Sequence, residues 1–334
     1  MSLAYLFLSF ALTAFGVWIF RKLSAGNSRL LDIPNERSSH SVPITRGAGI
    51  AIVLSILGGY VAVSGSETNV SYVLAAATIA IVSFIDDLFS VPLPIRLAIH
   101  FLAAATLVFA SGSYTELSFP FSDYKLYLGP LATSITILFI VWTTNAFNFM
   151  DGIDGIAGAQ GSGAAIGWIL LGITGAVSAY VDLGAIVLGA CVAFLLFNWQ
   201  PARVFMGDVG STFLGFTLAV FPLIEVQKSA SVVGTDLAIP IILLWLFLFD
   251  TIVIRFQLAF RSGVFWKAHR DHLYQRVVRS GWPHWSVALF FGIYSILSAF
   301  TLAYASHIGL IPLAITLILG PIVLVLASRM SKPA

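Results

Sequence analysis

The chain has 334 residues, 59% of them hydrophobic and only 10% charged, with a mean hydropathy of +0.96. Soluble domains run nearer about 25% charged, so a soluble fold is excluded and an all-α polytopic membrane protein is expected. The formal net charge of +2 decides little until the charges are placed, and the lone cysteine, Cys191, excludes an intrachain disulfide framework and reads as core filler.

Apolar runs long enough to cross a bilayer are expected at about 3–20, 47–64, 70–86, 95–111, 130–147, 155–175, 179–197, 210–225, 237–259, 286–306 and 308–328. That gives ten or eleven spans, the weakest being the Gly- and Ala-rich run at 155–175 and the short run at 210–225. The first run has no charged region before it and no small-residue cleavage site, so it reads as a retained span rather than a signal peptide.

Cytoplasmic loops carry an excess of Lys and Arg. With the loop after the first span on that side, only two of the 17 basic residues, Lys125 and Lys228, fall on the other. The split supports eleven spans, an outside N-terminus and a cytoplasmic C-terminus, in one integral-membrane domain over 1–334. It also gathers every polar cluster on the cytoplasmic side, in loops at about 21–46, 86–95, 145–156, 198–210 and 260–285. The loops opposite, including 112–129 and 226–236, read as ordinary solvated connectors.

The clusters carry distinct chemistry. Asp32-Ile-Pro-Asn-Glu-Arg-Ser-Ser-His40 signals a structured turn that, with Arg46, adds cations to this face. Asp86-Asp87 closes the third span. Adjacent carboxylates repel and push one pKa upward, as a proton acceptor needs. Their reading as mere caps is weakened because acids at a helix C-terminus oppose its dipole. Arg96 starts the next span and either binds a phosphate or anchors the helix at the interface.

The stretch Asn145-Ala-Phe-Asn-Phe-Met-Asp-Gly-Ile-Asp-Gly155 organises the rest. Asn148, Asp151 and Asp154 are spaced three apart and on a helical turn would share one face. Acids in a membrane chain are costly and mark function. Capping by Asn145 and Asp154 alone does not account for four amide or acid groups in ten residues. Phe205-Met-Gly-Asp-Val-Gly-Ser211 sets Asp208 between two glycines at a helix start, where backbone approaches a ligand closely and anions are favoured. Mg²⁺ suits that place, since it binds through one or two carboxylates plus substrate phosphates; a helix cap is the alternative. Asp250, five residues before Arg255, is expected to form an intramembrane ion pair holding helices together. In His269-Arg-Asp-His-Leu-Tyr-Gln-Arg276, histidines three apart can bind zinc. The cationic loop instead favours anion binding by Arg270, His272 and Arg276, with a solvated loop against anionic lipid as the alternative. Acids for Mg²⁺, cations for phosphates and a bilayer at one face suit transfer between a soluble nucleotide-linked donor and a lipid acceptor.

In combination, DIPNERSSH (32–40), FIDDL (84–88), NAFNFMDGIDG (145–155), PARVFMGDVGS (201–211) and HRDHLYQR (269–276) make the chain resemble the polyprenyl-phosphate N-acetylhexosamine-1-phosphate transferases, from Asp32 to about Gly281. Members that initiate bacterial O-antigen from UDP-linked N-acetylated sugars, often N-acetylfucosamine or N-acetylquinovosamine, are the most alike. The resemblance implies a cytoplasmic-membrane enzyme working on the cytoplasmic face. It further implies a UDP-N-acetylhexosamine-type donor, undecaprenyl phosphate as acceptor, Mg²⁺ or Mn²⁺ as cofactor, contact with membrane lipids and no nucleic acid. Homodimers are common in that family, although no residue here argues for one.

Carried over by motif, the resemblance makes Asp208 a metal ligand joined by Asn148. Asp86 and Asp87 become the paired aspartates of which one activates the lipid phosphate, and Asp151 and Asp154 the acids lining the nucleotide-facing cleft. Arg96 faces the donor phosphates. Asn145, Arg46, His269, Arg270, His272 and Arg276 complete the expected substrate-binding set. His272 matches the start of a histidine-rich run that often reads DHLHH. Tyr274 and Gln275 stand where its later histidines fall, a departure assigned to donor-sugar selection. The rivals are a lipid-diphosphate hydrolase using the same metal–phosphate logic, and a secondary transporter, which needs acids near the bilayer midplane.

Overall fold

The computed structural model describes residues 2–24, 26–33, 43–118, 124–175, 178–225, 236–262 and 272–330. Most of the 32–40 turn, with Arg37, and also His269 and Arg270, lie outside the described residues. The long helices are α1 (Ser2–Leu23), α2 (Ile50–Ser64), α3 (Val70–Phe89), α4 (Leu93–Ser111), α5 (Ala132–Met150), α6 (Ile156–Thr174), α7 (Ser178–Asn198) and α8 (Gly207–Glu225). Then come α9 (Ala238–Leu243), α10 (Trp245–Ser262), α11 (Leu273–Arg279), α12 (His284–Ala303), α13 (Ala305–Ile308) and α14 (Ile311–Arg329). Two short antiparallel pairs join them: β1 (Leu31–Asp32) with β2 (Ile44–Thr45), and β3 (Glu116–Ser118) with β4 (Lys125–Tyr127).

Ten helices among the described residues are long and apolar enough to cross a membrane: α1 to α8, α12 and α14. The protein is an all-α polytopic membrane protein. The run expected to give an eleventh continuous span, 237–259, is instead broken at Leu244 between α9 and α10. The Leu243 carbonyl accepts from Gln160 Nε2 at 3.0 Å and Ser295 Oγ at 2.9 Å. Side chains of α6 and α12 therefore satisfy the carbonyl at the break, a price helices can bear in a membrane only when such partners are supplied.

The two weakest runs turn out to be the most buried. In α8, 89% of the span is buried, against 17% in α1. Association in lipid rests on close backbone approach by small residues, and these runs carry them. A Cβ at Gly215 of α8 would sit 2.6 Å from Phe147 Cβ and 2.9 Å from the Thr143 carbonyl of α5. On α6, Gly161 lies against Cys191 Sγ, and Gly163 against the Gly292 carbonyl of α12. Small residues, which made 155–175 weak as a span, are what let both runs occupy the centre. Cys191 is fully buried, as expected for core filler.

The loop at 112–129 is not a plain solvated connector. It holds the β3–β4 hairpin, with buried Glu116 accepting from Lys125 Nζ at 2.9 Å and the Glu116 carbonyl accepting from Leu237 N. Ser118 N donates to Asp236 Oδ1 at 3.1 Å, tying this loop to the start of α9.

Candidate active site

At the other end of the bundle, the C-termini of α3, α5 and α7 meet the N-termini of α2, α4, α6 and α8. Strand β2 leads into α2 between two neighbours: Arg46 N donates to the Leu30 carbonyl, and Phe205 N donates to the Thr45 carbonyl at 2.7 Å. Ala48 N and Gly49 N then donate to the carbonyls of Phe205 and Met206. The α2 and α8 backbones touch at two glycines, since a Cβ on Gly49 would lie 2.5 Å from Gly210 Cα. Gly207 has φ +73°, and a Cβ there would fall 2.6 Å from Asp87 Oδ2 and 2.7 Å from Gly47 N. Only glycine fits such a corner.

The paired aspartates do different work. Asp87 is 2% exposed, and its two oxygens accept from Asp208 N at 3.0 Å and Val209 N at 3.1 Å. Those are free amides of the first turn of α8, so the Asp87 carboxyl caps that helix. Of the paired aspartates, one of which is expected to activate the lipid phosphate, Asp87 is the one whose two carboxyl oxygens are taken up by backbone amides. The objection that an acid opposes the dipole of its own helix is answered by a second helix, whose N-terminus faces it. Arg46 Nη2 donates to the Asp87 carbonyl at 2.5 Å.

Asp86 faces the cleft. Its Oδ1 accepts from Val91 N, while its Oδ2 binds Arg96 Nη1 in a close ion pair. The same Nη1 donates to Asp208 Oδ2 at 2.7 Å, and Asn148 Nδ2 reaches that oxygen at 3.2 Å. Asn148 Oδ1 accepts from Ser211 Oγ at 3.0 Å. Asp86, Arg96, Asn148 and Asp208, from four helices, thus form one cluster in which Arg96 Nη1 bridges the two acids. The Nε atoms of Arg46 and Arg96 are buried without a hydrogen-bond partner among the described residues.

The helical face expected for Asn148, Asp151 and Asp154 does not form, because α5 stops at Met150. Asp151 has φ −82° and ψ 55°, and Gly155 turns left-handed at φ +81° before α6 begins. Asn148 and half-buried Asp151 stay on the cleft side. Burial first, then the charges of Asp208, Asp87 and Asp154, push the Asp151 carboxyl up to about 7. Asp154 is turned away and buried. Its Oδ2 accepts from Ala202 N at 3.0 Å, its Oδ1 lies 3.5 Å from His284 Nδ1, and Gly155 N donates to Asn198 Oδ1. Asp154, expected to line the nucleotide-facing cleft, instead ties the 151–155 turn to the 200–206 loop. Asn145 is likewise not at the cleft. It is 7% exposed, and its Nδ2 lies 2.7 Å from the Val141 carbonyl and 3.2 Å from His100 Nδ1 in the α4–α5 interface.

The basic loop enters the site through α11. His272 is 4% exposed and its Nδ1 lies 3.0 Å from Asp250 Oδ1, so it is a buried, oriented residue rather than an open anion receptor. Asp250 is not an ion-pair partner for Arg255 as expected: its carboxylate is taken up by the start of α11, and the Arg255 guanidinium stacks 4.9 Å from the Phe149 ring. Arg276 Nη2 donates to Gln257 Oε1 at 3.2 Å. Tyr274 OH donates to the Phe149 carbonyl at 3.2 Å, and Gln275 Nε2 donates to Tyr274 OH. A Cβ on Gly152 would strike that hydroxyl. The sequence reading passed over His100 and His284; a single histidine carries no spacing signal.

The donor set tests the expected cations. Among the described residues no group of three or more His, Cys, Asp or Glu could form a metal cage, which disfavours zinc. Asp208 and Asp86, sharing one arginine nitrogen, fit Mg²⁺ or Mn²⁺ held partly by substrate phosphates. Turning the Asn148 amide over would keep a hydrogen bond with Ser211 and bring Oδ1 to the Asp208 side.

Fold and site define a class: a polytopic membrane protein with acids and buried guanidinium groups gathered at one end of the bundle. The profile described as glycosyl transferase family 4 matches residues 69–226, which contain all four residues of that cluster. The match covers just under half of the chain, which is similar to the polyprenyl-phosphate hexosamine-1-phosphate transferases of that family. It is 29% identical over 258 residues to a probable undecaprenyl-phosphate N-acetylglucosaminyl 1-phosphate transferase of Bacillus subtilis, covering 76% of this chain and 71% of that one. It is 28% identical to the phospho-N-acetylmuramoyl-pentapeptide-transferase of Clostridioides difficile, covering 84% and 89%. To the undecaprenyl-phosphate alpha-N-acetylglucosaminyl 1-phosphate transferase of Escherichia coli K12 it is 29% identical, covering 81% and 75%.

Proposed function

We propose that this enzyme moves an N-acetylated sugar-1-phosphate from a UDP-sugar to undecaprenyl phosphate on the cytoplasmic face of a bacterial membrane. The observation that carries the reading is that Arg96 Nη1 joins Asp86 to Asp208, whose same oxygen Asn148 reaches, beside two arginine Nε donors without partners among the described residues. Buried cationic donors of that kind call for an anion with several acceptor oxygens. The family and the relatives named above supply the chemical class of donor and acceptor.

An oxygen of the lipid phosphate attacks the β-phosphorus of the donor. The bond from that phosphorus to the oxygen bridging to the α-phosphate breaks, UMP leaves with that oxygen, and a lipid-diphosphate sugar forms. The second pKa of a phosphate monoester is near 6, so the nucleophile is already largely ionised at pH 7 and needs little base catalysis. Arg96 sits between Asp86 and Asp208 and can turn its guanidinium to the diphosphate as negative charge shifts toward UMP. Asp208, Asn148 and Asp86 are the residues that would hold Mg²⁺, which when bound neutralises diphosphate charge. Asp87 acts indirectly, by fixing the turn of α8 that carries Asp208.

The site lies where helices end, which counts against a transporter with a midplane site. The deciding experiment incubates purified protein with undecaprenyl phosphate and a panel of radiolabelled UDP-sugars, with Mg²⁺, Mn²⁺ or EDTA. UMP release with label entering the lipid phase is expected, for N-acetylated donors. Phosphate release from lipid diphosphates without UMP would make it a hydrolase, and failure with every donor would overturn the reading.

A further inference from the structure

Asp250 is 0% exposed on α10, and a carboxylate so deeply placed is retained only with compensating donors. It has three. Oδ1 lies 3.0 Å from His272 Nδ1 and accepts from Leu273 N at 3.0 Å, while Oδ2 accepts from Tyr274 N at 3.1 Å. The cap backbone of α11 is closed from the other side as well, since His272 N donates to Gln275 Oε1 at 3.2 Å. Two of the residues fixed in this way reach the cleft turn. Buried Tyr274 bonds the Phe149 carbonyl, and Gln275 holds the Tyr274 hydroxyl above Gly152. Phe149 directly follows Asn148, and Gly152 directly follows Asp151.

We propose that Asp250 is a positioning residue of the transfer site: it locks the first turn of α11 so that Tyr274 and Gln275 brace the Phe149–Gly152 backbone and with it the donor side of the cleft. This rests on the transferase reading. An ionised carboxylate only accepts, so His272 Nδ1 is the donor to Asp250. Asp86, expected on the acceptor side, makes no bond to this clamp, so its loss acts on one substrate.

The test compares Asp250→Asn, Asp250→Glu and Tyr274→Phe in purified full-length protein. Amide hydrogen exchange over 272–279 is expected to rise at least tenfold in Asp250→Asn, a readout that needs no turnover. KM for the UDP-sugar is expected to rise about tenfold with KM for undecaprenyl phosphate within twofold. Asp250→Glu, which keeps both oxygens, restores much of each, and Tyr274→Phe, with the cap intact, raises only donor KM, about threefold, as loss of one neutral hydrogen bond does. Unchanged exchange in Asp250→Asn, or equal changes in the two KM values, would overturn the proposal. Absence of transfer in the wild type would overturn the transferase reading while leaving the exchange result to judge the clamp.

Discussion

Replacing Asp87 separates a structural acid from a chemical one. Two backbone amides of α8 end on its carboxylate, and hydrogen bonds to a charged group contribute about 1.5–3 kcal/mol each. Whole N-cap substitutions measure about 0.5–2 kcal/mol, and a partly buried charge at a helix terminus adds up to about 2 kcal/mol. These terms describe one interaction and overlap, so about 3 kcal/mol is expected for Asp87→Ala. At roughly 2 °C per kcal/mol for a chain of this length, the melting temperature should fall by about 6 °C. Asp86→Asn keeps an acceptor for Val91 N and leaves Arg96 its bond to Asp208. It should lose at least 100-fold in turnover, a typical scale for removing a positioned catalytic group, with melting within about 2 °C of wild type. Gly207→Ala, which drives a Cβ toward Asp87 Oδ2, should destabilise like Asp87→Ala. The measurements are detergent-phase thermal unfolding and UMP release on the same preparations. A wild-type melting temperature in Asp87→Ala would refute the cap. Asp87→Asn that melts normally yet loses as much turnover as Asp86→Asn would return Asp87 to the chemistry.

Two further outcomes are expected. Asp208→Ala should fold, lose Mg²⁺-dependent turnover and lose Mn²⁺ binding by electron paramagnetic resonance; full activity in that variant would sink the metal assignment. The raised Asp151 carboxyl fixes the sign of a pH effect: its folded pKa of about 7 exceeds the ordinary 3.8, so its contribution to stability is full below pH 4 and is lost as pH rises through 7. Wild-type protein in EDTA should therefore melt lower at pH 8 than at pH 5.5, and Asp151→Asn should flatten that difference. Equal slopes in the two proteins would remove Asp151 from the charged cluster.

Several features were legible in the order of residues alone. Hydropathy gave the spans, because a helix must be apolar over its whole length to lie in lipid, and the polar motifs named Asp86, Arg96, Asn148 and Asp208 before any contact was known. What the chain order does not carry is which neighbour each acid meets. Asp86 and Asp87 are adjacent and chemically identical; one becomes a cleft residue and the other a cap only because the N-terminus of α8, some 120 residues later, arrives beneath α3. Asp250 reads as a local partner of Arg255 because spacing exposes only local pairings, whereas its donors come from the far side of a loop. The same holds for the glycine-rich α6 and α8, poor spans by composition that take the centre because closeness between backbones is a property of pairs of helices. Sequence fixes which groups exist and how often they recur along a helix; a hydrogen bond belongs to two places in the chain at once, and only the folded arrangement selects the second.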